Sequence, residues 1–244
     1  MIRFAGRGIL LDIEGTVSSI RFVYDTMFPY VRTHVAQFLQ TCFDDPQVRA
    51  ICDQVVREAT QAGGRVGADP AQSRDALIRR VIESTHQLMD ADAKVTGLKQ
   101  LQGLIWDGAF KSGELKAQLF DDVPARLADW RSRGLDVRIY SSGSVAAQKL
   151  FFGYTQFGDL SAYLGGYYDT TTGPKREATS YRKIAGDMRL PAGEVLFLSD
   201  VVAELDAAAE AGTETALVSR PGNPPTSGEG RHPEIKSLAE VELA

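Results

Sequence analysis

Apolar residues run without a break through Gly8-Ile9-Leu10-Leu11 and stop at Asp12, which opens a polar turn through Gly15-Thr16. A short apolar run ended by turn residues predicts a buried strand. The next hundred residues carry a helical pattern with almost no strand-like runs. Asp45-Pro46 and Asp69-Pro70 each set a capping acid before a proline, the expected start of a helix. Asp69 is followed by Gln72 at capping-box spacing. The stretch from Gly63 through Gly67 predicts a loop between two such helices.

The pattern changes again near residue 120. A helix is expected from Pro124 to Arg133, closed by Gly134, and then a strand over Val137-Arg138-Ile139-Tyr140. Ser141-Ser142-Gly143-Ser144 follows at once, with a helix from Val145. A second strand is expected over Glu194 to Leu198, ending at Ser199-Asp200, then a helix from Val202 to Ala211 closed by Gly212. Thr215 to Val218 predicts a last strand, and Ser219 to Pro233 a surface loop. Strands that alternate with helices imply right-handed crossovers and a parallel sheet. The fold class is therefore α/β, a parallel sheet flanked by helices, with an all-helical segment inserted after the first strand. The expected boundaries are 1–20 with 120–244 for the α/β core and 21–119 for the helical segment.

Composition narrows the picture. The chain has 244 residues, long enough for one large domain or one domain with an insert. Its 27 basic against 32 acidic residues give a net charge of −5, which speaks against a polyanion-binding surface, so no nucleic-acid partner is expected. No apolar run approaches the roughly 20 residues of a membrane span, so no membrane partner is expected either. Nor does the start carry an apolar stretch of secretory type. Two cysteines, Cys42 and Cys52, exclude a disulfide framework and place the protein in a reducing cytoplasm.

Ligands of open α/β sheets sit outside the carboxyl ends of the strands. The predicted strand ends carry Asp12 and Glu14, then Ser141 and Ser142, then Asp200, while Lys175 lies in the loop beside Gly173-Pro174. A lone aspartate at a strand end reads first as a turn residue. Here all four features occur together in chain order. Three carboxylates without a cation would repel one another, and a magnesium ion suits sparse carboxylate ligation with retained waters. Two hydroxyls at a helix start and a lysine match the oxygens of a phosphate group. A carboxylate nucleophile would divide phosphate-ester hydrolysis into two steps, and a carboxyl two residues on would protonate the leaving oxygen.

These residues resemble the haloacid dehalogenase-like superfamily, whose first motif is Asp-x-Asp-x-Thr and stands here as Asp12-Ile13-Glu14-Gly15-Thr16. Glutamate in place of the second aspartate is similar to the enolase-phosphatase (acireductone synthase) family of methionine salvage. Phe28-Pro29-Tyr30, Leu98 to Trp106, Gly113 to Lys116, Arg138 to Ser144, Gly173-Pro174-Lys175 and Arg220 to Asn223 agree with that family. The resemblance implies a two-step reaction on 2,3-diketo-5-methylthiopentyl-1-phosphate, enolisation followed by dephosphorylation. It implies one magnesium ion per chain, bound by Asp12, Glu14 (through its carbonyl) and Asp200. Substrate binding falls to Ser141, Ser142 and Lys175, with Asp12, Glu14 and Lys175 catalytic. The helical insert becomes a cap, and the protein a monomer acting on a small-molecule phosphate. The rivals are a magnesium-dependent phosphatase of another small ester, a dehalogenase and a silent phosphate-binding module.

Other residues carry less. Cys42 and Cys52 have no histidine pair at zinc spacing, and His34, His86 and His232 are scattered. Gly63, Gly64 and Gly67 follow no strand, so a dinucleotide loop is not expected. Ser180 to Lys183 fits Ser-x-x-Lys by spacing only and reads as a helix surface. Glu204 is either a neighbour of the metal ligands or a plain helix-start acid, and Trp106 either core or a lid over the methylthio group.

Overall fold

The computed structural model describes residues 1–63, 73–224 and 230–244. The chain divides into two compact units, Met1–Tyr24 with Leu115–Ala244, and Asp25–Glu114. The Asp69-Pro70 helix start, Gln72, Gly64 and Gly67 lie outside the described residues.

The first unit is built on strands β1 (Ile2–Phe4), β2 (Gly8–Leu11), β3 (Asp136–Tyr140), β4 (Gly166–Tyr168), β5 (Val195–Ser199), β6 (Glu214–Val218), β7 (Glu234–Ile235) and β8 (Val241–Leu243). Six of them form one sheet in the order β4-β3-β2-β5-β6-β7, every pair parallel. β1 and β8 pair separately, also parallel. All residues of β2 and of β5 are buried, which is why both appear as continuous apolar runs rather than alternating ones. The register sets Leu11 beside Ile139 on one side and Leu198 on the other, so Asp12 follows directly at the carboxyl edge.

Helices α1 (Ile20–Phe22), α2 (Phe28–Cys42), α3 (Pro46–Gln61), α4 (Arg74–Asp90) and α5 (Thr96–Ser112) precede α6 (Asp122–Ser132), α7 (Val145–Gly153), α8 (Ala178–Met188) and α9 (Val202–Glu210). Asp45 caps α3, its carboxylate accepting from the Gln47 and Val48 amides, and Ser144 caps α7 by accepting from Ala147. Gly134 and Gly212 follow α6 and α9 with φ of +82° and +88°, the left-handed geometry that closes a helix.

Several boundaries move. α6 begins at Asp122, leaving Pro124 inside its first turn where no amide hydrogen is needed. Glu194 ends a 3-10 turn instead of opening β5. β4 and β7 were not predictable, because Gly166-Tyr167-Tyr168 and Glu234-Ile235 are too short to show a period. Ser180 to Lys183 does lie on a helix, but Ser180 and Tyr181 are buried within it, because Tyr181 packs its ring against Tyr140 and Phe197.

The unit Asp25–Glu114 buries Val31, Val35 and Leu39 of α2, Val48, Ile51, Cys52 and Val55 of α3, and Leu98, Leu101 and Ile105 of α5, the stripes of amphipathic helices. Trp106 belongs to this core: it is 7% exposed, and its indole nitrogen donates to the Met27 carbonyl at 3.0 Å. Cys42 and Cys52 are free thiols on α2 and α3. No helix among the described residues is long and apolar enough to cross a membrane.

Phe197 lies at the centre of the sheet core, fully buried with its ring 5.0 Å from that of Tyr181. Phe197→Ala should destabilise the protein by about 3–5 kcal/mol, read as a lower urea midpoint at unchanged slope.

Candidate active site

The connection from β2 runs outward to β3 and β4, and the chain then crosses back to β5 on the other side of β2. The sheet order therefore reverses between β2 and β5, the place where open α/β sheets bind ligands. Asp12 and Asp200 stand at the ends of those two strands.

The turn after β2 is tight. The amides of Thr16, Val17 and Ser18 all point at the Ile13 carbonyl, and Gly15 donates to Ser18 at 2.7 Å. Gly15 has φ of +76°, and a Cβ there would lie 2.2 Å from Asp200 Oδ2. Glycine is required on both counts. Two residues beyond β6 hold this turn from outside. Asn223 donates to the Gly15 carbonyl at 2.9 Å, and Arg220 to that of Thr16 at 3.0 Å. Arg220 is itself buried, paired with Asp122 at 3.0 Å and stacked 4.4 Å from the centre of the Phe120 ring.

Lys175 enters from the loop after β4. Hydroxyls of Tyr140, Ser180 and Tyr181 donate to the carbonyls of Gly173, Pro174 and Lys175 in turn, at 2.8, 2.7 and 2.6 Å. The loop is thus fixed from the sheet and from α8. The Lys175 ammonium sits 2.6 Å from Asp12 Oδ1 and 2.5 Å from Glu204 Oε2. Asp12, Lys175 and Glu204 are 3%, 7% and 8% exposed, so this triplet is out of water. Glu204 also accepts from Ser199 at 3.1 Å. Of its two sequence readings, neither names its direct contact, the lysine. Its spacing, one helical turn past Asp200, was the available signal.

Ser141 is buried and donates to Glu14 Oε2 at 3.3 Å while accepting from the Gly143 amide at 3.1 Å. Ser142, next in the same turn, is exposed. The structure therefore joins Asp12 to Lys175, Glu14 to Ser141 and Asp200 to the Gly15 turn.

Four carboxylates, Asp12, Glu14, Asp200 and Glu204, surround one ammonium. Burial, then the charge of Asp12, pushes Glu14 upward. Asp200 is pushed up to about 7 by burial and by the charges of Asp12 and Glu204. Burial also raises Glu204, against the pull of Lys175. For Lys175 burial acts downward, but Asp12 and Glu204 outweigh it and its pKa rises. The negative surplus suits a dication. Among the described residues no three His, Cys, Asp or Glu side chains converge as a ready metal cluster. A magnesium ion fits a sparser set, because it is usually held by one or two carboxylates and keeps its waters. Asp12 and Asp200 supply two carboxylates, and the Glu14 carbonyl accepts no hydrogen bond among the described residues.

The three histidines lie elsewhere. His34 stacks on Tyr30, His86 approaches the Arg32 carbonyl, and His232 bridges Asp206 and Thr215.

A family profile described as haloacid dehalogenase-like hydrolase matches residues 7–212. Enolase-phosphatase E1 of Pseudomonas aeruginosa (strain LESB58) is 44% identical over 235 residues, 96% of this chain and 97% of that protein. The protein of the same name from Synechococcus elongatus is 49% identical over 215 residues, 88% of this chain and 89% of its own. The chain belongs to the enolase-phosphatase family. Among solved structures, the UTR4 protein of Saccharomyces cerevisiae superposes on this enolase-phosphatase with a TM-score of 0.77 at 38% identity, covering 95% of this chain and 98% of the yeast one. As an enolase-phosphatase the chain is an enzyme, a phosphoric ester hydrolase of the haloacid dehalogenase-like kind.

From about pH 4 to about pH 7 the folded, metal-free protein keeps a proton on Asp200 that the unfolded chain has lost. Its stability therefore falls as pH rises through that window. A dication binds the carboxylate form, so magnesium affinity should climb up to tenfold per pH unit below about pH 7 and then level off. Titration calorimetry checks this, and Asp200→Asn should flatten the climb. Gly15→Ala should displace Asp200 and abolish phosphate release, with magnesium affinity falling in parallel in the same calorimeter.

Proposed function

We propose that this enolase-phosphatase converts 2,3-diketo-5-methylthiopentyl-1-phosphate to its enol, and then by dephosphorylation to the acireductone 1,2-dihydroxy-3-keto-5-methylthiopentene of methionine salvage. The observation that carries the reading is the placement of two acids two residues apart in different surroundings. Asp12 faces Lys175, whereas the Glu14 side chain faces Ser141.

Asp12 is the phosphoryl nucleophile. Its Oδ1 is engaged by Lys175, while among the described residues Oδ2 meets only a long 3.5 Å contact from Thr16. Oδ2 is therefore the oxygen available for attack on phosphorus. The P–O bond to the substrate breaks as the Asp12–phosphorus bond forms, and Glu14 gives its proton to the leaving oxygen. The Glu14 carboxylate so formed then takes a proton from water as that water attacks phosphorus, freeing inorganic phosphate and Asp12. Burial favours the protonated form of Glu14, which suits an acid at neutral pH. In the preceding enolisation Glu14 acts in its ionised form and takes the carbon-bound proton. The enolate oxygen takes a proton from solvent to give the enol, and the proton held on Glu14 is then the one delivered to the leaving oxygen in the second step. Lys175 stabilises the enolate oxygen and the phosphoryl oxygens in turn. Ser141 and Ser142 bind the phosphate from the turn at the start of α7.

Magnesium, held by Asp12, Asp200 and the Glu14 carbonyl, would supply positive charge for the phosphoryl oxygens. The helical unit acts as the cap that keeps water from the enol, a role supported by its insertion immediately after the first catalytic motif. A cytoplasmic monomer acting on this small phosphate is in keeping with two free cysteines and an acidic chain.

A time course on the diketo phosphate, following enol absorbance and free phosphate together, tests the reading. Enol should rise before phosphate. Asp12→Asn should accumulate enol and cut phosphate release by about a thousandfold or more, whereas Glu14→Gln should slow both steps. Phosphate from simple esters without enol from the diketone would instead mean a phosphatase of another small ester.

A further inference from the structure

Gln148 and Asp169 lie outside every role assigned above. Gln148 sits one turn into α7 and is 1% exposed. Its side-chain amide nitrogen donates at 2.8 Å both to the Gly143 carbonyl and to the Tyr168 carbonyl. Two carbonyls can be satisfied only by the nitrogen, so the orientation of the amide is dictated by its partners. The amide oxygen is left buried with no partner among the described residues. An orphaned buried acceptor costs about 1–3 kcal/mol, which a leucine in the same place would not incur. What the amide supplies in return is its pair of donated bonds, which tie the serine turn to the end of β4 and which a leucine could not make.

Asp169 directly follows β4. Its Oδ2 accepts from the Val145 amide at the start of α7 at 3.0 Å, and its Oδ1 accepts from the amide and hydroxyl of Thr171 at 2.9 and 2.6 Å. The Ser141 amide adds a bond of 3.1 Å to the Tyr168 carbonyl. The end of β4 is therefore tied on one side to the Ser141-Ser142-Gly143 turn and on the other to the loop that carries Lys175. The two segments approach the site from different strands, and no direct bond between Ser141 and Lys175 is needed to set their spacing.

We propose that Gln148 and Asp169 are positioning residues that hold the serine turn at a set distance from Lys175, so that hydroxyls and ammonium engage one phosphate group together. This rests on the phosphatase reading above. Misplacing the turn loosens phosphate while leaving the Asp12–Lys175 pair intact, so the effect falls on binding more than on turnover.

The test uses Gln148→Leu and Asp169→Asn in the full chain with magnesium. Inorganic phosphate is the binding probe, and phosphate release from the diketo phosphate is the kinetic one. Both variants should raise KM and the phosphate Kd about tenfold, with kcat within about threefold of the parent. Gln148→Leu removes the orphaned oxygen together with the donor of two carbonyls, so it should melt somewhat lower than the parent, and the shift in KM and Kd is the readout that a merely structural role would not move. Gln148→Glu, which cannot donate when ionised, should bind phosphate no better than Gln148→Leu. Unchanged KM and Kd with a lower melting temperature would overturn the proposal, making the pair a folding element. Failure of both variants to fold would overturn it in the same way. A parent protein that binds phosphate but does not turn over the diketone would instead defeat the functional reading, while the phosphate Kd of the variants still judges the positioning role.

Discussion

A buried ammonium held between two carboxylates is the constraint on which this site depends. Lys175 reaches Asp12 and Glu204 at 2.6 and 2.5 Å, and the three groups have almost no access to solvent. Such an arrangement survives because the ammonium touches both carboxylates directly. Removing one partner of a buried pair costs about 3–5 kcal/mol, since the other charge is left without water or a counter-ion. The lysine must therefore be delivered accurately, and its loop is pinned at three consecutive carbonyls by Tyr140, Ser180 and Tyr181. The aromatic core beneath, Tyr140 with Tyr181 and Tyr181 with Phe197, extends the hydrophobic packing of the sheet up to the Lys175 ammonium.

The same charges leave a deficit that function requires. One ammonium does not neutralise Asp12, Glu14, Asp200 and Glu204, and both Asp200 and Glu14 are pushed upward by burial and by Asp12. A dication at the ends of β2 and β5 would complete the balance and then attract the phosphate that the serine turn and lysine are placed to receive. Pre-organised charge of this kind costs no rearrangement at the moment of reaction. The turn from Asp12 to Ser18 is accordingly rigid, closed on the Ile13 carbonyl from within and held by Arg220 and Asn223 from outside.

In the proposed reaction Glu14 is the residue that separates the two chemistries. Its side chain leaves the lysine to Asp12 and meets Ser141, at the edge of the phosphate turn. In the proposed mechanism an acid in this position has to reach a carbon-bound proton in one step and a leaving oxygen in the next. The extra methylene of glutamate provides that reach without moving the nucleophile.

What could be read directly from the chain follows from burial on two faces. β2 and β5 are continuous apolar runs because they are buried along their whole length, while β3 and β6 are apolar chiefly in their last residues, and β2, β3 and β5 end where the site residues begin. Asp12, Glu14, Ser141, Ser142 and Asp200 were legible for that reason, and Lys175 through the Gly173-Pro174 beside it. Short strands such as Gly166–Tyr168 left no period to read, and with β4 unseen the role of Asp169 at its end was hidden too. Glu204, Gln148 and Arg220 were hidden for a different reason. Their meaning lies in partners far along the chain: Lys175 for Glu204, Tyr168 for Gln148, and Thr16 and Asp122 for Arg220. Sequence by itself determined the four longer strands, β2, β3, β5 and β6, and which residue types stand at their ends, because both are local consequences of solvent exclusion. Tertiary structure alone decided which carboxylate faces the lysine and which faces the serine, because strand order and loop bracing act over distances that no local pattern records.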